Sequence, residues 1–232
     1  MERDGFPFVF GAFLTALVCL GGFYLLDAFW PVIVAIVFFV LGLFFAYFFR
    51  SPERVSEAPD NAVVSPADGV ALYIKRLESY PGFDTPVWKI AIFLNVFDVH
   101  VNWTPIAGEV AFSKYYPGKF HAAFVDKASE DNERTEIGVQ SARGLVVFKQ
   151  IAGLLARRIV CRLEQGQKVG RGEKFGMIKF SSRVEVFVPE SAEICVRPKD
   201  KIKGGVTVLS KLAPALQSRQ SSFTDAETET TS

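Results

Sequence analysis

Two long uncharged runs open the chain and predict a pair of helices. The first covers residues 6–26 and the second covers residues 28–49, and only Asp27 interrupts them. Each run is long enough to enter or cross a hydrocarbon core of ~30 Å as a helix. The second run is apolar on every side, whereas a helix that packs on a soluble core carries a polar face. The pattern therefore predicts an N-terminal transmembrane α-helical hairpin over residues 1–50, as two full spans or as one re-entrant hairpin.

The charges that flank these runs indicate how the hairpin is oriented. Arg50 and Arg54 follow the second run directly, whereas the turn between the runs carries only Asp27. Because Lys and Arg are enriched on the cytoplasmic side of membrane helices, the rest of the chain is predicted to face the cytoplasm at the cell (inner) membrane. A cleaved signal peptide would have a shorter apolar region and a basic start, which the opening Met-Glu-Arg-Asp does not provide.

After a charged linker over residues 51–62, the pattern changes to short segments that predict β-strands. Asp68-Gly69 divides the first of these segments and is a typical hairpin turn signal. From residue 213 the periodicity stops, and a composition rich in Ser, Thr and Glu predicts a disordered tail over residues 213–232. The clearest strand-like segments are residues 63–74, 88–94, 146–153 and 184–188.

A weak internal repeat narrows the fold class. Residues 167–172 and 200–205 share the pattern x-Lys-apolar-x-x-Gly, with strand-like residues on either side. The pattern looks like the hairpins of the lipoyl and biotinyl carrier folds, although no lysine stands in the Met-Lys-Met setting of a carrier domain. We therefore predict a mainly β, barrel-sandwich-like soluble domain over residues 63–212, behind the helical hairpin.

Composition argues against several classes of function. The net charge of +1 gives no electrostatic case for nucleic-acid binding. The three cysteines, Cys19, Cys161 and Cys195, have neither the spacing of a metal site nor that of a disulfide framework. We therefore predict no metal and no nucleic acid, and the cysteine usage agrees with a cytoplasmic domain.

One polar cluster on a strand-like background is a candidate for acid–base chemistry. Asp98, His100 and Asn102 are spaced by two, so a strand would present all three on one face. The chain has two histidines, and the other is His121 in a loop-like segment. A histidine that a carboxylate orients can act as a general base, while a structural histidine with satisfied hydrogen bonds is the alternative.

A second cluster, Ser181-Ser182, lies where two predicted strands join. Serine adds little to a β surface and favours turns, so a polar hairpin corner is one interpretation. In the other interpretation, the Ser182 hydroxyl is aimed at the carbonyl of Ser181 and attacks it, which converts the amide to an ester. This segment alone does not decide between the two.

Six motifs occur in a fixed order along the chain: Ser65-Pro-Ala-Asp-Gly69, Asp98-Val-His-Val-Asn102, Tyr116-Pro-Gly-Lys-Phe120, Asp126-Lys-Ala-Ser129 with Asn132-Glu-Arg134, Gln150-Ile-Ala-Gly153 with Ala156-Arg-Arg-Ile-Val-Cys161, and Phe175-Gly-Met-Ile-Lys-Phe-Ser-Ser-Arg-Val184. Each motif is weak alone. Together, in this order and spacing, they closely resemble the short bacterial form of phosphatidylserine decarboxylase, from about residue 48 to residue 212. The two-helix N-terminus also matches this family.

The resemblance implies a pyruvoyl-dependent decarboxylase that is made as an inactive proenzyme. Ser182 would attack the carbonyl of residue 181, and the chain would be cut into a β chain of residues 1–181 and an α chain of residues 182–232. Ser182 would become a covalent pyruvoyl cofactor, which forms a Schiff base with the amine of phosphatidylserine. Loss of CO2 then gives phosphatidylethanolamine, a step of phospholipid biosynthesis. The implied partners are membrane phosphatidylserine and the other chain of an α/β heterodimer, with higher oligomers left open.

The resemblance also implies roles for single residues. His100 is the expected base, with Asp68 as first choice to orient it and Asp98 as the alternative, because the aspartate of the Ser-Pro-Ala-Asp-Gly motif is implicated in self-cleavage together with a histidine. The longer form of the family has a second histidine three residues further on. That residue is Trp103 here, so His100 would serve both self-cleavage and decarboxylation. The candidate substrate-binding residues are Lys119, Arg134, Arg157 and Arg158.

One residue departs from the family pattern. Glycine normally precedes the cleaved serine, and this chain has Ser181 instead. Glycine reaches backbone conformations that cost other residues ~1–3 kcal/mol, and strain at this peptide favours the acyl shift. The alternative function is therefore an uncleaved, non-catalytic, membrane-tethered homologue that binds lipid or a partner.

Overall fold

The N-terminal part of the molecule is a helical hairpin. A computed structural model of the chain describes residues 1–26, 28–118, 132–153, 159–179 and 182–214. After a 3-10 turn (Arg3–Gly5), α1 (Phe6–Leu26) packs against α2 (Trp30–Phe48), which begins with a proline in its first turn. Both helices are long and apolar enough to cross a membrane, and most of their apolar side chains point away from the protein. The predicted helical hairpin is confirmed.

The remainder is built from short strands, as the alternating pattern predicts. Over the ranges that the structure describes, the largest sheet has eight strands in the order β13-β2-β3-β11-β7-β6-β5-β9, and two three-stranded sheets have the orders β1-β14-β12 and β4-β10-β8. The strands are β1 (Ala62–Val64), β2 (Gly69–Leu77), β3 (Val87–Leu94), β4 (Val101–Trp103), β5 (Gly108–Tyr116), β6 (Arg134–Ser141), β7 (Gly144–Ala152), β8 (Ile159–Cys161), β9 (Lys168–Val169), β10 (Lys174–Ile178), β11 (Ser182–Pro189), β12 (Glu193–Ile194), β13 (Lys201–Ile202) and β14 (Val208–Lys211).

The core lies between the large sheet and the two small ones. Apolar residues on one face of β3, β7 and β11, such as Ile92, Phe148 and Val186, pack against Leu209 of β14 and Phe175 of β10. Because every second residue of these strands points inward, the alternation in the sequence reports this core directly. The predicted mainly β, sandwich-like fold is confirmed.

The two halves of the internal repeat occupy equivalent positions. β9 and β13 are the two edge strands of the large sheet, and each leads into a turn with a glycine at positive φ, 75° at Gly172 and 72° at Gly205. The amide of Gly172 donates to the carbonyl oxygen of Thr104 and that of Gly205 to the carbonyl oxygen of Ser65, at 2.8 and 2.7 Å. A Cβ on Gly172 would lie 3.6 Å from the Gly205 oxygen, so the sheet curls until its two edges meet.

The predicted hairpin at Asp68-Gly69 is wrong. β1 and β2 flank this turn but belong to different sheets, since β1 pairs with β14 and β2 pairs with β3 and β13. Gly69 has φ 145°, and a Cβ there would collide with the backbone of Phe93. The glycine is needed for this close approach of β2 to β3, and the turn sends the chain from one sheet to another.

The hairpin is fastened to the β-rich part near the end of α2. Phe48 and Phe49 pack with Met177 of β10 in a buried cluster. At the N-terminus, the amide of Glu2 donates to the carbonyl oxygen of Phe49 at 2.8 Å, and Asp4 pairs with Arg162 at 2.7 Å. The end of α2 and the chain start are therefore both part of the packed body.

Candidate active site

Ser182, the first residue of β11, is fully buried in the middle of the large sheet. It is paired with Leu94 of β3 on one side and with Ala152 of β7 on the other. Directly paired residues point to the same face, so the Ser182 side chain lies between two apolar side chains. Its Oγ has no hydrogen-bond partner among the described residues. A buried hydroxyl without a partner costs about 1–3 kcal/mol, which is a reason to seek a chemical role for it.

His100 is also fully buried, in the segment just before β4. Its Nδ1 lies 2.9 Å from the backbone carbonyl oxygen of Asp98, and its ring lies against that of Phe48. Because a carbonyl oxygen only accepts, Nδ1 carries the proton of the neutral ring and Nε2 is the basic nitrogen. Nε2 is buried and makes no hydrogen bond within the part of the chain that the structure describes. The site therefore holds a basic nitrogen that is ready to accept a proton.

Burial lowers the pKa of His100 from 6.5 to about 4. The hydrogen bond to the Asp98 carbonyl and the charge of Asp68 oppose this change in pKa, and the charge of Arg50 adds to it. At neutral pH the imidazole is therefore uncharged, which is the form that a general base requires.

The predicted strand face of Asp98, His100 and Asn102 is wrong in its extent. β4 begins at Val101, so only Asn102 of the three lies on a strand. The residues before His100 form a tight turn, because the Asp98 carboxylate accepts from the amide of Asn95 at 2.8 Å. Asp98 consequently reaches His100 through its backbone carbonyl oxygen and not through its carboxylate.

Among the described residues, two groups hold the Asp68 carboxylate, and neither is the imidazole. Arg54 binds both oxygens, with Nη1–Oδ1 2.5 Å and Nη2–Oδ2 2.9 Å, and the amide of Gly204 donates to Oδ1 at 2.7 Å. The guanidinium of Arg54 lies over the indole of Trp103, 4.4 Å from the ring centroid. Asp68 therefore acts on His100 through its charge, and its part in self-cleavage stays a prediction.

One cluster of buried apolar side chains joins the segments that carry Asp68, His100 and Ser182. Ala67, the residue before Asp68, belongs to it, and so does Ile178, whose amide donates to the carbonyl oxygen of His100 at 3.2 Å. Leu94 and Ala152, which pair with Ser182 in the sheet, belong to the same cluster. The full cluster is Ala67, Leu94, Ala152, Ile178 and Val184.

Comparison with known proteins identifies the family. The family model for phosphatidylserine decarboxylase matches residues 41–210, which is more than half of the chain. The chain belongs to the phosphatidylserine decarboxylase family.

Curated relatives agree with this membership over nearly their whole length. The phosphatidylserine decarboxylase proenzyme of Magnetococcus marinus is 48% identical over 184 residues, which cover 79% of this chain and 84% of that protein. The proenzyme of Syntrophus aciditrophicus is 42% identical, with 90% of this chain and 96% of that protein covered. The proenzyme of Symbiobacterium thermophilum is 41% identical, with 91% and 95% covered.

Several polar residues of the phosphatidylserine decarboxylase motifs build the frame of the site. The Asn102 side chain donates to the carbonyl oxygen of Pro66 at 3.2 Å and accepts from Gln150 at 2.8 Å. Gln150 in turn accepts from Thr135 at 2.7 Å. Asn132 donates to the last carbonyl oxygen of β7 at 2.7 Å. These side chains tie the Ser-Pro-Ala-Asp-Gly turn to β4, β6 and β7, so their role in this family member is positional.

The remaining predicted residues divide into one that is described and several that are not. Arg134 begins β6, and its guanidinium lies 4.5 Å from the centroid of the Tyr116 ring. Its binding of substrate stays a prediction. The other predicted positions lie outside the described residues: Lys119, Arg157, Arg158 and Ser181.

Two residues at the site of this phosphatidylserine decarboxylase homologue escaped the sequence reasoning. Arg54 counted only as a charge flanking the membrane helices, yet it is the partner of Asp68. Phe48 was part of the second apolar run and the approximate start of the family resemblance, without a role at the site, yet its ring centroid lies 4.1 Å from that of His100. The family match begins at residue 41, inside α2, and this is the signal that the helix end belongs to the site.

Proposed function

We propose that this protein is a self-processing phosphatidylserine decarboxylase that converts phosphatidylserine to phosphatidylethanolamine and CO2 with a pyruvoyl group made from Ser182. Membership of the family and the proenzyme names of its relatives support this proposal. The observation that carries it is that Ser182 Oγ and His100 Nε2, which lie in motifs of the family, are both among the buried atoms that make no hydrogen bond within the described residues. One is a nucleophile and the other is a base.

The residues around Ser182 fit a pyruvoyl group. The side chains of Leu94 and Ala152 flank it, and the position is closed to solvent. A pyruvoyl carbonyl carries no charge, so it costs less to bury there than an ionised group would. Ser182 Oγ gives up no hydrogen bond with a described residue when it reacts.

Self-cleavage uses His100 and Ser182. His100 Nε2 takes the hydroxyl proton while Ser182 Oγ attacks the carbonyl carbon of residue 181, and the C–N bond breaks as the nitrogen gains a proton. The resulting ester loses the Cα proton of residue 182 and its Cβ–Oγ bond breaks, which leaves a carboxylate on residue 181 and dehydroalanine at residue 182. Addition of water and release of ammonia then give the pyruvoyl carbonyl.

In the mature enzyme the pyruvoyl group supplies a carbonyl that takes up the substrate amine and accepts the electrons released with CO2. The chain supplies the surroundings. Leu94 and Ala152 offer no polar partner to a carboxylate, so a substrate held between them gains when its charged carboxylate leaves as CO2. His100, uncharged at neutral pH, exchanges a proton through Nε2 at the carbon that loses CO2.

The helical hairpin anchors the enzyme beside its lipid substrate. Arg50 and Arg54 at the end of α2 support an orientation in which residues 63–212, the catalytic domain, face the cytoplasm at the inner membrane. The cut between 181 and 182 leaves β11 of the α chain paired with β3 and β7 of the β chain, so the product is a heterodimer.

The direct test is decarboxylation of phosphatidylserine in vesicles by the purified full-length protein. We expect release of CO2 and formation of phosphatidylethanolamine, and no product from Ser182→Ala. A second candidate, an uncleaved lipid- or partner-binding homologue, is favoured by Ser181 in place of the family's glycine. Intact protein without turnover would select that candidate.

A further inference from the structure

A notch of about 580 Å³, lined by both charged and apolar residues, opens beside the end of α2. Its lining includes Ala46 of α2 and Arg50 just after it, together with Val99 and Lys203 of the β-rich part. The notch is therefore formed jointly by the helical hairpin and the β-rich part. Val99 directly precedes His100, so the notch reaches the segment that carries the proposed base.

The notch carries a net positive charge. Two of its charged residues are neutralised by partners, since Arg54 pairs with Asp68 at 2.5 Å and Glu53 with Lys174 at 2.6 Å. Arg50 and Lys203, which also line the notch, form no ion pair with a described residue. Arg50 donates to the carbonyl oxygens of Tyr47 and Phe97, at 2.9 and 2.7 Å, and keeps further N–H groups for a ligand.

The surroundings of the notch place it at the level of lipid headgroups. Ala46 lies two residues before the end of α2, where the helix leaves the apolar region. Tyr47 and Phe97 lie beside the notch with 48% and 64% of their surface exposed, and the Tyr47 hydroxyl donates to the Phe97 carbonyl oxygen at 3.2 Å. Exposed aromatic residues at a helix end are typical of the boundary between bilayer and water.

We propose that this notch binds the phosphate of an anionic phospholipid headgroup, with Arg50 and Lys203 as its cationic ligands. A guanidinium and an ammonium are the groups that proteins use to hold phosphate, and both line the notch here. The purpose of the site rests on the proposed function, because a lipid held against Val99 has its headgroup next to the segment of His100. The binding itself does not depend on cleavage or on decarboxylation.

The test measures binding of phosphatidylglycerol, which has no amine to react, to the full-length protein in detergent micelles by native mass spectrometry. Phosphatidylcholine, whose headgroup has no net charge, is the comparison lipid. A cationic side chain near a membrane surface contributes ~1 kcal/mol, so Lys203→Gln is expected to weaken phosphatidylglycerol binding about fivefold. Lys201→Gln is the matched control, because Lys201 is an exposed lysine of β13 that does not line the notch.

Arg50→Gln is expected to weaken lipid binding as well, but it also removes hydrogen bonds at the end of α2. The deciding variant is therefore Lys203→Gln, which changes a surface residue. Equal losses in Lys203→Gln and Lys201→Gln would overturn the proposal in favour of a diffuse surface charge. Displacement of the lipid by an equal concentration of inorganic phosphate would assign the notch to free phosphate instead. The same titration on Ser182→Ala separates the two proposals, since it retains lipid binding even where the protein neither cleaves nor decarboxylates.

Discussion

The ring of Phe48, the last residue of α2, lies against the imidazole of His100, with 4.1 Å between the ring centroids and 36° between their planes. The helix that is long enough to cross a membrane therefore ends on the proposed base. Phe48 helps to exclude water from that base, and this exclusion is what lowers the pKa of His100.

Phe48→Leu tests this relationship. The loss of the ring contact is expected to slow self-cleavage about tenfold, because small misplacements of a catalytic group have large effects on rate. It should also raise the pH below which cleavage slows, since admitted water moves the pKa of His100 back toward 6.5. The measurement is the cleavage rate against pH, with Arg50, Asp68 and Asp98 as the charged groups near the ring that stay unchanged.

Phe49→Leu is the control for that variant. Phe49 belongs to the same buried cluster and packs edge-on to Phe48, but it makes no ring contact with His100 among the described contacts. A shift of the pH profile in Phe49→Leu as large as in Phe48→Leu would mean that general loosening of the cluster, and not the contact with His100, controls the base.

The pH dependence of self-cleavage in the parent protein is a second prediction. His100 titrates at about 4 in the folded chain, so it stays neutral and active as the pH falls from 7 to about 5. The rate is expected to drop tenfold per pH unit only below about 4, where protonation removes the base. The cleavage rate at each pH is measured by electrophoresis of the two fragments. A midpoint of the rate near pH 6.5 would mean that a solvated histidine is the base.

The cut itself is tested at residues 181 and 182. We expect fragments of residues 1–181 and 182–232, the second with an N-terminus blocked to Edman degradation. Ser182→Ala should remain intact, and Ser181→Gly should cleave at least as fast as the parent, because glycine reaches at lower cost the backbone conformations that favour the acyl shift. If Ser181 were the nucleophile, fragment masses would place the cut after Phe180, and Ser181→Gly would block processing.

A fourth prediction tests whether His100 is the base in self-cleavage. His100→Ala is expected to fold but to cleave about 10²–10⁴-fold more slowly, while His121→Ala should cleave at the parent rate. Limited proteolysis of the uncleaved variant reports whether it is folded. Cleavage of His100→Ala at the parent rate would remove His100 from the mechanism.

Asp68→Asn is expected to affect both stability and cleavage. It leaves the buried Arg54 without a counter-charge, which costs about 3–5 kcal/mol, and it removes a negative charge that raises the pKa of His100. The double variant Arg54→Gln/Asp68→Asn should recover much of the thermal stability. If cleavage recovers with it, Asp68 is a structural residue; if cleavage stays slow, its charge is part of the chemistry.

Local patterns predicted the elements of this fold well, and long-range pairing explains what they missed. The strand at residues 88–94 follows from a short, mostly apolar run and the helix over α2 from a long one, and run length is a property of neighbouring residues. The alternation around His100 looked like a strand, but the Asp98 carboxylate closes a turn there, because Asn and Asp side chains compete for backbone amides. The Asp68–Arg54 pair depends on tertiary packing and leaves no periodic trace in the sequence.

β11 lies in the middle of the large sheet, and Ser182 is its first residue. Both flanking strands come from earlier in the chain, and β13 and β14, which follow, pair with the early strands β2 and β1. This interleaving must form while the chain is still continuous, because two separate pieces would have to find each other and insert a central strand. After self-cleavage the two chains would refold inefficiently if they came apart. The lifetime of the cleaved protein is therefore set by the rate at which the sheet opens.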